Sequence, residues 1–189
     1  MSKQALLVMD VQNLIVDRYA DGDYLHRLQR AVDGARAGQL PVIYAAVGFR
    51  PGYPEVNPRN KMFGGLAGRA GSSADEEANR IHDAVRPREG DIIVTKRRVS
   101  AFSGSDLDLV LRSSGVDHLV LTGIATSGVV LSTVRQAADL DYELTVLSDA
   151  CQDIDSEVHR VLMEKIFPQQ AEVVTVAEWT KSFEARCQE

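Results

Sequence analysis

Residues 118–140 read HLVLTGIATSGVVLSTVRQAADL. An unbroken apolar run, 118–125, passes through a turn of small residues into a segment that reads as a helix from about 127 to 140. A run of that length without polar alternation is what a strand covered on both faces requires. Strand, tight turn and helix in this order make the unit from which parallel sheets between helices are built. The unit recurs along the chain. Further strands are predicted at 5–10 (ALLVMD), 41–47 (PVIYAAV), 91–96 (DIIVTK), 142–150 (YELTVLSDA) and 171–176 (AEVVTV). Helices are predicted at 22–38, 74–85, 105–115 and 155–167, with a last one in VAEWTKSFEARC. Leu25, Leu28, Val32 and Ala35 fall at helical spacing, Gly38 ends that helix, and Ser105 is a candidate N-cap. The expected fold is α/β: a three-layer sandwich with a mostly parallel, doubly wound sheet and helices on both faces. Residues 1–189 are read as one domain.

Composition narrows the partners. The 189 residues are 44% hydrophobic and 25% charged, with a formal net charge of −6. That balance argues against a nucleic-acid surface and an anionic membrane surface. The basic residues Arg86, Arg88, Lys96, Arg97 and Arg98 are interrupted by GDIIVT, and most of them read as a solvated rim. MSKQALLVMD enters a strand without the pattern of a signal peptide. The longest uncharged run, Leu119 to Val134, is shorter than the ~18 residues a spanning helix needs. Cys151 and Cys187 match no metal-site spacing and make no disulfide framework, so the expected home is a reducing cytoplasm.

One segment departs from the alternation. Residues 48–73 hold three of the six prolines and six of the fourteen glycines. A connection longer than ~15 residues in a compact domain is usually functional or disordered. A lid over a ligand crevice and a surface or subunit-contacting loop are both open readings.

In open α/β sheets the ligand lies beyond the carboxyl ends of the strands. The residues placed there are Asp10, Lys96, the TSGVV turn and Asp149 to Cys151. A carboxylate, an ammonium and a helix N-terminus thus converge on one edge. Any one acid at a strand end is more often a cap or turn residue; the three together are more specific. Gln12, two residues beyond Asp10, either orients it or closes a turn. Burial raises the pKa of such a carboxyl and a neighbouring lysine lowers it, and the sequence leaves the balance open.

Four stretches carry a family resemblance over nearly the whole chain. MDVQN (9–13), TKRRVSAF (95–102), TGIATSGVVLSTVRQAAD (122–139) and LSDAC (147–151) resemble, in order and spacing, the motifs of the isochorismatase-like hydrolases, the superfamily of cysteine hydrolases. The resemblance implies that Asp10 and Lys96 are catalytic and that the third motif carries a nucleophilic Cys in amidase members. The position of that Cys is Val129, whose methyl groups neither ionise nor attack a carbonyl. True isochorismatases also lack the Cys, carry Gly there and hydrolyse a vinyl ether with the Asp as general acid. Gly128 lies beside the position here, and AAVGFRPG stands where those enzymes hold substrate with polar residues. The resemblance further implies a cis peptide between Ile124 and Ala125, an anion-holding ring of N–H groups at 127–130, and Phe102 near the pocket. Gln12, Phe102, Ala125, Ser127 and Gly128 complete the candidate substrate-binding set.

Ser127 and Ser132 are the hydroxyls near the vacant thiol position; Ser127 is expected to cap the helix and Ser132 lies one turn inside it. Cys151 is expected to be a buried structural thiol. His26, His82, His118 and His159 make no metal-ligand spacing, and 48–73 lacks the His and Asp with which nicotinamidases of the superfamily hold a metal, so neither a metal nor a cofactor is expected. The leading expectation is a cytoplasmic hydrolase that acts on a small metabolite by a noncovalent, Asp10- and Lys96-assisted mechanism. The alternative is a catalytically silent small-molecule-binding protein that retains the pocket. The resemblance also implies a homo-oligomer, a dimer or tetramer, with the 48–73 loop and AEWTKSF as candidate contacts.

Overall fold

The computed structural model describes residues 3–19, 21–66 and 76–186, with side-chain surroundings up to residue 181. Residues 67–73 of the long loop and Cys187 lie outside the described residues. Among the described residues there are six strands: β1 (Gln4–Met9), β2 (Val42–Val47), β3 (Ile92–Lys96), β4 (His118–Ile124), β5 (Glu143–Gln152) and β6 (Glu172–Val174). They form one sheet in the order β3-β2-β1-β4-β5-β6, and every neighbouring pair is parallel. The strand order reverses between β1 and β4. A crevice opens at such a reversal because the connections leaving the two strands diverge to opposite faces.

The helices are α1 (Asn13–Tyr19), α2 (Tyr24–Ala37), α3 (Glu76–Asn79), α4 (Leu107–Ser113), α5 (Leu131–Asp139), α6 (Ser156–Val161) and α7 (Val176–Arg186). Alternation along β1 sorts the core into two halves. Ala5, Leu7 and Met9 pack with Leu107 and Leu111 of α4 and Val134 and Ala137 of α5. Leu6 and Val8 pack on the other face with Val16 of α1, Leu28, Ala31 and Val32 of α2, and Trp179 of α7. The Trp179 of AEWTKSF is therefore core, 5% exposed.

The sequence reading misses α1 and draws 74–85 as one helix. That stretch instead breaks after α3: Ile81 bridges to Gln12, and a 3-10 turn, Asp83–Val85, follows. β3 is also less apolar on its faces than expected. As an edge strand it exposes Ile93 and Thr95 and buries Val94 and Lys96.

Two backbone features bring the strand ends together. Gly123 has φ +138°, and a Cβ added there would lie 2.3 Å from the Met9 carbonyl oxygen. Only glycine lets β4 run this close to the end of β1. Gly123→Ala is expected to lower stability by at least about 2–3 kcal/mol, through strain and overpacking together, in urea denaturation. The second feature is a bulge in β5. Leu121 pairs with Val146 but Gly123 pairs with Cys151, so β5 carries three more residues than β4 across this step. The bulge carries β5 on to Gln152, beyond its predicted end at 150.

Candidate active site

Asp10 leaves β1 with φ +55°, an uncommon backbone that aspartate tolerates better than most side chains. Its N–H donates to the Ala45 carbonyl at 2.8 Å, which keeps it joined to β2 at the turn. Lys96 ends β3, two strands away, opposite Val47 in the register. Its side chain crosses the end of β2, and Nζ lies 2.8 Å from Asp10 Oδ2. Lys96 is 2% exposed and Asp10 8%, so this is a buried ion pair. Lys96 Nζ donates a further hydrogen bond to the Arg98 carbonyl at 3.0 Å. Asp10 Oδ1 is buried and accepts no hydrogen bond among the described residues.

Burial decides the balance that the sequence leaves open. It pushes the Asp10 carboxyl up to about 6, against the pull of the Lys96 ammonium and the Val47 N–H toward lower values. Burial holds the Tyr24 phenol well above its ordinary value, and the Asp10 charge pushes it the same way.

The turn after β4 begins with a cis Ile124–Ala125 peptide. Residues Thr126–Val130 form a single wide helical turn that leads into α5. Ala125 takes the N-cap position, so Ser127 is not the cap. Ser127 is exposed, and its N–H donates to Asp153 Oδ2 at 2.7 Å. The N–H groups of Gly128 and Val130 donate to the Ala125 carbonyl, at 3.0 and 3.3 Å. Three of the N–H groups in the expected anion-holding ring at 127–130 are thus engaged inside the protein. The wide turn closes on the Ala125 carbonyl, which consumes two of these donors, and Asp153 takes the third. Val129 is 2% exposed and belongs to the core half that contains Met9.

Two other candidates are held by contacts within the protein. Gln12 Nε2 donates to the carbonyls of Val47 (3.0 Å) and Asn79 (2.7 Å), and Oε1 accepts the Val47 N–H at 2.9 Å. Its amide is committed to stitching the end of β2 to the segment after α3. Gln12→Leu is expected to lose on the order of 3 kcal/mol of stability, because these backbone groups are left unpaired. Phe102 lies along α5, where Ala101 N–H donates to Thr133 Oγ1 at 3.0 Å, and its ring sits 6.0 Å from that of Tyr142. Tyr142 precedes β5, and Phe102, 7% exposed, belongs to the core half that contains Met9.

The acids after β5 also change places. Asp149 lies inside the extended strand, and its Oδ1 accepts the Val176 N–H at 2.7 Å, at the start of α7. Asp153, 7% exposed, is the residue that follows β5 and reaches the turn. Sequence reasoning missed it because the bulge moves the strand end. Beside it, Thr126 Oγ1 and His159 Nδ1 are 2.8 Å apart, and burial lowers the His159 pKa below its ordinary value. Cys151 is buried with its thiol pushed far up by burial, which makes it a poor nucleophile. Among the described residues no group of three His, Cys, Asp or Glu stands within reach of one metal ion. No helix among them is long and apolar enough to cross a membrane.

Residues 4–178 match the isochorismatase domain. This chain belongs to the isochorismatase family. It is 33% identical to the uncharacterized isochorismatase family protein YwoC of Bacillus subtilis over 166 residues, 88% of this chain and 86% of that one. It is 31% identical to the ureidoacrylate amidohydrolase RutB of Stutzerimonas stutzeri over 221 residues, covering 99% and 82%. An isochorismatase family protein from Burkholderia thailandensis superposes with a TM-score of 0.85 at 30% identity, over 96% of each chain. N-carbamoylsarcosine amidase from Thermoplasma acidophilum superposes at 0.72 with 26% identity, over 92% of this chain and 96% of that one. Within the isochorismatase family the present chain keeps a carboxylate and an ammonium in contact at the strand edge.

Proposed function

We propose that this isochorismatase family member is a hydrolase of small carbonyl compounds that activates water with Asp10 instead of forming a thioester. The observation that carries this reading is the 2.8 Å contact between Asp10 and Lys96, both buried. A carboxylate with a pKa of about 6 is mostly ionised at neutral pH yet basic enough to take a proton from attacking water. The same group then returns that proton to the departing nitrogen or oxygen. Lys96 stabilises the ionised carboxylate and is the cation nearest to a developing oxyanion. Position 129, aligned by motif with the nucleophile of the amidase members, is valine, so no thioester forms there. The names of two relatives, an amidohydrolase and an amidase, favour an amide or ureido C–N bond as the bond broken.

A single-turnover reaction with a panel of small amides, ureido acids, esters and vinyl ethers, quenched rapidly and read by intact-protein mass spectrometry, tests this. Turnover without any mass added to the chain is the expected result. An acyl adduct during turnover would overturn direct water attack.

The engaged N–H groups of Ser127, Gly128 and Val130 favour a second reading, a silent binding protein. Val129→Cys in a Cys187→Ser background separates the two. With Asp10 and Lys96 competent, the new thiol is expected to react with iodoacetamide at least about tenfold faster than buried Cys151. A thiol at 129 as inert as Cys151 would favour the silent protein.

A further inference from the structure

Lys96 has a second anchor, and that anchor is itself held. The Arg98 carbonyl accepts from Lys96 Nζ at 3.0 Å. The guanidinium of the same Arg98 grips two other carbonyls. Nη1 donates to Arg97 O and Nη2 to Glu55 O, each at 2.7 Å. Glu55 belongs to the long segment that leaves β2, and its Oε1 is tied to Arg50 Nη1 at 2.8 Å and Arg97 Nε at 3.2 Å. Arg98 thus touches that segment with its side chain and Lys96 with its backbone.

We propose that Arg98 is a positioning residue, whose grip on the Glu55 and Arg97 carbonyls holds its own carbonyl where the Lys96 ammonium must sit to face Asp10. A lysine side chain is long and loses about 2 kcal/mol of rotamer entropy when it is fixed. One carboxylate oxygen alone lets the ammonium swing about that contact; a second acceptor on another side pins it. A planar fork bound to two carbonyls fixes the peptide plane that supplies this second acceptor. The consequence is that the seating of the 48–66 segment and the geometry of the ion pair are linked through one residue. This role rests on Asp10 and Lys96 being the working pair, and it adds a dependence of that pair on a segment well apart in sequence.

Titration of the Asp10 carboxyl carbon by NMR in Arg98→Lys tests the assignment. The substitution keeps the charge and loses the fork, so a change cannot come from a missing cation. The midpoint is expected to move from about 6 to about 7 as Lys96 slackens. A folded Arg98→Lys protein with the midpoint still at about 6 overturns the proposal. Glu55→Gln keeps the carbonyl that Arg98 grips and is expected to leave the midpoint in place. A move as large as that of Arg98→Lys would remove the assignment from Arg98. If Arg98→Lys does not fold, Arg98→Gln is compared with Arg50→Gln, which removes an equal charge from the same contact network. A move in Arg98→Gln alone supports the role, and equal moves in both overturn it. The readout is a titration and not turnover, so it reports on Arg98 even in a protein that hydrolyses nothing.

Discussion

Lys96→Met is expected to lower stability by about 1–3 kcal/mol more at pH 8 than at pH 5. The difference follows from the charge it leaves behind. At pH 8 the buried Asp10 carboxylate loses its ionic partner Lys96, and a buried charge without a partner is heavily penalised. At pH 5 the carboxyl is largely protonated, and the methionine side chain fills the lysine stem's place among apolar neighbours. Linkage gives the sign. The folded pKa of about 6 lies above the ordinary 3.8, so the native protein binds this proton more tightly than the unfolded chain does. The stabilisation is complete below the ordinary value and is lost as pH rises through about 6. Without Lys96 the Asp10 midpoint is expected to lie about 1–3 pH units higher, and the loss of stability runs on to correspondingly higher pH. Urea denaturation of both proteins at the two pH values checks this. Equal losses at both, or none at pH 8, would contradict the account of the pair.

Asp10→Asn is expected to reduce kcat/KM by about 10²–10⁴-fold on whichever small amide or ureido compound the wild type turns over. The amide of asparagine preserves shape and can still accept from Lys96, but it can neither take a proton from water nor return one. The pH profile gives a second check. Wild-type kcat/KM is expected to rise with pH through about 6, since the basic form of Asp10 is the active one. The variant's residual rate is expected to be flat across that range. A wild-type profile that falls through 6 would make Asp10 a general acid and shift the substrate toward vinyl ethers or similar acid-labile groups. Equal kcat/KM in the two proteins would remove Asp10 from the chemistry.

The fold was legible because the strands announce themselves by apolar runs and the longer helices by their spacing. HLVLTGI and ALLVM needed no tertiary information to be recognised as buried strands. The meeting of Asp10 with Lys96 was legible for the same reason: once the strands are parallel, their carboxyl ends share an edge. What escaped depends on distances between segments. Gln12 was equally readable as a group orienting Asp10 or as a turn residue; only the approach of Val47 and Asn79 decides that it is a stitch. Asp153 was hidden by a bulge that no local pattern in VLSDACQD reveals. Phe102 sits in a motif beside the site but points down α5, because Thr133 and Gln136 draw residues 101–103 along that helix. Arg97 and Arg98 read as solvated charges, yet their partner, Glu55, lies more than forty positions earlier. The pKa of Asp10 could not be read at all, since it is a contest between burial and one ammonium whose distance only the folded chain sets.

The central claim is that burial lifts the Asp10 carboxyl, pressed against Lys96 in a site without a thiol at position 129, to a pKa of about 6. A carboxyl-carbon NMR titration of Asp10 in the wild-type protein measures this without a substrate. The account predicts a single midpoint at about 6. A midpoint at or below the ordinary 3.8 would show that Lys96 outweighs burial, and Asp10 would then be too weak a base to activate water.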